Sequence, residues 1–318
     1  MAASPIQRAA QEARAKGRRL PRPAPYKVPG TAARTAERRL GRAARALVLG
    51  WLATLAPLFP EEPARVDAPA SARSFEPYMP TGRAWERRAL GDVQFVMADA
   101  EREQRNAEAR SMRTLGIDVI GGEPWLKDVL DERGREAADL ITKMATDTRR
   151  RIAKLAAAGM AEGRPRTWLR EQVEAVAGIT ERRAQLIARD QVRKLQGALH
   201  EARQTDLGIE SYIWRTSRDE RVAGNPAGLY PDAPSSSETH GDHWEREGRR
   251  FLWKKDGGRL VEVLANGKTR ITDYRDGHPG DPIQDRCFAE PYIPGLEDLL
   301  GYQEQAPVAS RYKVTRRR

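Results

Sequence analysis

The stretch from Arg183 to Thr216, RAQLIARDQVRKLQGALHEARQTDLGIESYIWRT, changes its period at Gly208. Before the glycine, Ala184, Ile187, Ala188, Val192, Leu195 and Leu199 recur at the spacing of one helix face. After it, Ile209, Ser211 and Ile213 alternate with Glu210, Tyr212 and Trp214, the two-residue repeat of a strand. A helical region followed by a small strand-rich module is therefore expected, an α+β fold.

Upstream, the helical reading extends to Trp125. Leu126, Val129 and Leu130 form one stripe; Leu140, Ile141, Met144, Ile152 and Leu155 form another. Gly159 and Gly163-Arg164-Pro165 are expected to break the pattern. A short helix with Trp168, Leu169, Val173 and Val176 should then close at Gly178, with Thr180 capping the next. Residues 123–208 thus read as antiparallel helices with short loops. Downstream, 209–293 reads as the strand-rich module, with hairpin turns at Asp256-Gly257 and Asn266-Gly267. Residues 31–122 read as helical, interrupted by a proline-rich linker over 57–80. Residues 1–30 and 294–318 read as disordered basic ends.

The 318-residue chain holds 56 Lys/Arg against 45 Asp/Glu, a net charge of +11, with a mean hydropathy of −0.71. The excess sits at the ends. Residues 1–45 carry 12 basic residues against Glu12 and Glu37, and Arg311 to Arg318 carry five and no acid. Such ends suit a polyanion, either nucleic acid or an acidic protein surface; they also suit a solvated tail that keeps the protein soluble. Arg14, Lys16, Arg18, Arg19, Arg22 and Lys27, with Arg316, Arg317 and Arg318, are the candidate phosphate contacts. The apolar stretch Ala46 to Phe59 is too short to cross a bilayer and begins too far in for a signal peptide. Its face, Leu47, Leu49, Trp51, Leu52 and Leu55, must dock, either on the chain's own core or on another subunit. The single cysteine, Cys287, excludes an internal disulfide and fits a reducing compartment.

Chemistry-bearing residues gather in three stretches: Trp214 to Val222, His240-Gly241-Asp242-His243, and His278 to Cys287. His240 and His243, three apart, with Asp285 and Cys287, which alternate on a potential strand, could make a His-His-Asp-Cys zinc site. Alternatively His243 caps a turn, Cys287 is a buried small side chain, and Asp219 and Asp285 pair with Arg221 or Arg286. Hydrolase elbows, phosphate-binding glycine loops and His-Glu-x-x-His are absent from the sequence, so an enzyme is not the first expectation.

The order Arg183 to Val192, Gly208-Ile209, Tyr212-x-Trp214-x-Thr216-x-x-Asp219-x-Arg221-Val222, His243 with Gly248 and Phe251, and Pro279-Gly280 through Asp285-Arg286-Cys287 to Ala289-Glu290-Pro291 resembles the phage Mu F-like minor head protein family, which includes the SPP1-type minor capsid proteins. The likeness spans about residues 110–293. Asp285 stands where that family has the first cysteine of Cys-Arg-Cys, and the loop between Val222 and His243 is longer than usual. The resemblance implies a low-copy component of the virion head, present in the host cytoplasm during assembly. Its implied partners are the portal protein, the inner capsid and, non-specifically, double-stranded DNA; no membrane or small-molecule substrate is implied. Asp219, Arg221, His243 and Cys287 would hold the module together by ion pairs or a metal. Two other readings stand beside it. One is a metal-dependent nuclease on His240, His243, Asp219 and Asp285; the other is a plain nucleic-acid-binding module.

Overall fold

The computed structural model describes residues 30–63, 83–113, 123–217, 222–224, 243–283 and 285–293, with Arg8, Gln11, Glu12, Ala15, Lys16, Phe75 and Met79. The fold is α+β, as expected. Helices α1 (Thr31–Leu55), α2 (Arg83–Arg113), α3 (Leu126–Ala161) and α4 (Arg166–Asp206) precede five strands. These are β1 (Ser211–Arg215), β2 (Arg250–Leu252), β3 (Val261–Val263), β4 (Thr269–Ile271) and β5 (Phe288–Tyr292). Among the described residues no helix is long and apolar enough to cross a membrane. The chain forms two compact units, one from residues 1–29, 100–129 and 193–318, the other from 30–99 and 130–192. This division cuts across the boundaries expected near 122 and 208, because α2, α3 and α4 each contribute to both.

The second unit is helical, and its contacts fix its registers. Thr148 meets Thr180 across 3.5 Å, and a Cβ on Gly159 would lie 2.2 Å from the Trp168 ring. Met144 clusters with Ala184. Each pair sums to nearly the same number, so α3 and α4 run antiparallel. The same holds for α1 and α4. Glu37 receives a bidentate pair from Arg189 at 2.7 and 2.7 Å, Gly41 faces Gln185, and Arg45 reaches Glu181 at 3.4 Å. Gly159 therefore lies inside α3, where its missing side chain admits Trp168.

Two helix expectations are corrected. α4 does not close at Gly178, and Thr180 is not a cap. Its hydroxyl donates to the Val176 carbonyl one turn back, at 2.8 Å, inside a continuous helix. The docking-face expectation is also corrected, at Trp51 and Leu55. Both are buried in a core with Val48, Phe59, Ile152, Leu169 and Val173, against which Leu47, Leu49 and Leu52 are partly packed. The apolar face of α1 thus docks on its own unit.

In the first unit the strands form one antiparallel sheet, ordered β4-β3-β2-β1-β5. Both hairpin turns appear. Asp256 and Arg259 bridge across Gly257-Gly258, whose φ values of 56° and 77° are the left-handed pair that a two-residue turn needs. Asn266-Gly267 closes β3 to β4, with the Lys268 N–H donating to Asn266 Oδ1 at 3.0 Å. The core-facing set on β1 is Tyr212 and Trp214, packed with Phe251, Trp253, Leu260, Cys287 and Ala289.

Candidate functional site

In the first unit, Gly197 of α4 and Gly280 touch backbone to backbone. A Cβ on Gly197 would lie 2.9 Å from the Pro279 carbonyl oxygen and 3.1 Å from Gly280 Cα. Gly280 itself has φ 98°. This close approach sets the loop after His278, and the Gly280 N–H then donates to Asp285 Oδ2 at 3.0 Å. Gly197→Ala would gain about 1 kcal/mol of helix propensity. It would lose about 1–3 kcal/mol to overpacking, since backbone cannot yield as a side chain can. Net destabilisation is expected. Gly178→Ala, on the same helix with open space around its Cβ, should instead stabilise by up to about 1 kcal/mol. Urea unfolding of the two variants should give opposite signs.

Beside this contact lies a buried cluster. His243 opens a short turn, Trp244–Arg246, and its ring stands edge-on to Trp214 at 5.2 Å between centroids. Its Nε2 is 2.8 Å from Asp276 Oδ2. Nδ1 is 3.3 Å from Asp285 Oδ1 and 3.5 Å from Cys287 Sγ. The Cys287 N–H donates to Asp285 Oδ1 at 2.9 Å. Arg246, fully buried, donates from Nη2 to both Asp276 oxygens at 2.8 and 3.0 Å. Its guanidinium lies over Tyr274 at 3.9 Å and Trp214 at 4.7 Å, which supplies cation–π contact where water is excluded.

The electrostatics follow from these neighbours. Burial lowers the His243 pKa, but Asp276 and Asp285 outweigh it and push it up to about 9. Burial raises the Asp285 carboxyl, yet His243, the Cys287 side chain and the Gly280 N–H hold it well below the usual carboxylate range. Asp276 is likewise lowered, burial being overcome by His243 and Arg246. Burial, with Asp285 beside it, pushes the Cys287 thiol up. Burial pulls the neighbouring His278 down to about 4, and its Nδ1 lies 2.9 Å from the Tyr212 hydroxyl.

The structure brings together His243, Asp285 and Cys287 of the expected site. Asp219, Arg221 and His240 lie outside the described residues, as do Arg14, Arg18, Arg19, Arg22, Lys27, Arg316, Arg317 and Arg318. Lys16 is exposed and pairs with Glu12 at 3.1 Å. Sequence reading missed Asp276 and Arg246. They are 30 residues apart, and no periodicity links them.

It also missed a second buried network in the same unit. Arg203 on α4 reaches Glu123 at 2.6 Å, Glu101 at 2.9 Å and Glu108 at 3.2 Å. Glu108 in turn lies 2.6 Å from His200 Nδ1 and accepts from Gln104 Nε2 at 2.9 Å. Gln204 donates to the Ala289 carbonyl of β5 at 3.0 Å and accepts from Trp253 Nε1 at 3.0 Å, which ties the helix to the sheet.

No protein-family profile matches the chain, and no solved structure does. It is 27% identical over 143 residues to an uncharacterized protein of Haemophilus influenzae (strain Rd). That stretch is 45% of this chain and 24% of the relative, so the chain spans well under half of the relative's length.

Proposed function

We propose that the chain is a phage minor head protein of the Mu F-like kind. In this reading it is a low-copy structural component at the portal vertex of the virion, present in the host cytoplasm during assembly. It assists procapsid assembly and DNA packaging or delivery, and its cationic ends contact phosphates without regard to sequence. One observation supports the reading above others. Residues that carry the resemblance from scattered positions, Tyr212, Trp214, Phe251, Cys287 and Ala289, pack into one core, with His243 and Asp285 against it. The nuclease reading is disfavoured by burial. The His243 and Asp285 side chains are 7% and 2% exposed, which leaves a phosphodiester no approach to them among the described residues.

The test is a mass-spectrometric inventory of purified procapsids and mature particles, with the portal protein as the reference for copy number. The protein should be present in both at low copy. Its absence from both sinks the reading. Because α1 is core, the cationic arm is to be tested by deleting only residues 1–29, not the helix after it. The full chain should bind duplex DNA with an affinity that falls steeply with salt, by about 0.9 in log K per log salt for each phosphate neutralised. The shortened chain should show a distinctly shallower slope.

A further inference from the structure

We infer that His243 Nδ1, Asp285 Oδ1 and Cys287 Sγ form a zinc site, with Asp276 as the carboxylate that orients the histidine from outside. The inference rests on distances rather than on residue types. Zinc holds nitrogen at about 2.0–2.1 Å, carboxylate oxygen at about 2.0–2.2 Å and thiolate sulfur at about 2.3 Å. At a tetrahedral angle those lengths place nitrogen about 3.4 Å from oxygen and about 3.6 Å from sulfur. The observed separations are 3.3 and 3.5 Å, and all three donor atoms lie within 4.8 Å of one another.

A direct ion pair accounts less well for the Nδ1 side. Charge-assisted N–H to carboxylate bonds run at about 2.7–2.9 Å. His243 makes one such bond, on Nε2 to Asp276 at 2.8 Å, and stands off at 3.3 Å on Nδ1. One ring nitrogen is thus spaced as a hydrogen bond and the other as one donor among several around an ion. A carboxylate on the far nitrogen is also how metal-binding imidazoles are fixed in tautomer and direction.

The surroundings agree. Gly280 and Cys287 N–H groups fix both oxygens of Asp285 in place. A cavity of about 20 Å³, lined by Asp285, Cys287, Gly197 and Pro279, adjoins two of the three donor residues. That volume admits one water, the size of ligand a fourth zinc position takes. Charge closes too. With the cation taking the place of the Nδ1 proton and Cys287 as thiolate, Zn²⁺ and Arg246 balance Asp276, Asp285 and the thiolate, leaving the buried group neutral. All three donor residues are buried, so the ion is structural: it pins the turn at His243 to the segment leading into β5.

The test uses the full chain. Protein purified from zinc-supplemented medium without chelator should carry one zinc per chain by elemental analysis. Chelation should lower its melting temperature, and zinc should restore it. Cobalt(II) in place of zinc should give tetrahedral d–d bands and a sulfur-to-cobalt charge-transfer band. Cys287 is the sole cysteine, so Cys287→Ser should abolish the charge-transfer band alone. Asp276→Asn should weaken cobalt binding about 10–100-fold. The inference is overturned if the folded, unmutated chain holds no stoichiometric zinc and gives no cobalt bands, or if Cys287→Ser leaves the charge-transfer band intact. Neither outcome bears on whether the protein resides in a virion.

Discussion

Replacing Arg203 with methionine is expected to cost the first unit about 3–5 kcal/mol at neutral pH. The guanidinium is 3% exposed and is shared by Glu101, Glu108 and Glu123. Methionine keeps most of the volume but removes the cation that the three carboxylates share, leaving Arg105 on Glu101 and His200 on Glu108. Domains commonly hold about 5–15 kcal/mol in total, so this loss takes a large part of the margin. Hydrogen exchange should localise it, with protection lost over 193–206 and the sheet and retained over 31–55.

The deficit should also depend on pH, with a definite sign. Burial raises the Glu108 carboxyl, but His200 and Arg203 outweigh it and hold it below its ordinary value of 4.5. A carboxyl with a lowered folded pKa adds stability that is complete above the unfolded pKa and fades as pH falls through the folded one. Without Arg203 the burial effect gains ground, Glu108 takes up a proton more readily, and like-charge repulsion is relieved in acid. The gap between the two proteins should therefore narrow as pH drops from 7 towards 4. A gap that stays constant would mean the arginine acts through packing alone.

Trp51→Ala should destabilise the second unit by about 3–5 kcal/mol, the usual cost of emptying an aromatic site in a core. Trp51 is 2% exposed, among Val48, Leu55, Ile152 and Leu169. Protection should fall over 31–55 and 145–180 while the sheet keeps its own. The variant also separates the two partners that the α1 face could have had. A face reserved for another subunit would lose binding and keep its stability; a core face loses stability first.

Much of the fold can be read along the chain because its signals are local. The switch of period at Gly208, the left-handed glycines of two hairpins and the stripe on α4 each lie within a few residues. The misreadings at Gly159 and Gly178 share one cause. A glycine costs a helix only about 1 kcal/mol, which tertiary packing overrides. At Gly159 the Trp168 ring fills the space that a side chain would have taken. The site is half-legible for the opposite reason. His243, Asp285 and Cys287 announce themselves by chemistry, whereas Asp276, Arg246 and Arg203 are ordinary charged residues until folding buries them together.

The sheet's strand order has one further consequence. β5 returns to lie against β1, with Tyr292 opposite Ser211, so the polypeptide exits the sheet about 5 Å from where it entered. The entry and exit points of the sheet therefore neighbour each other. Neighbouring ends of this kind let a chain be reconnected without stretching, provided α4 travels with the sheet it holds through Gln204 and Gly197.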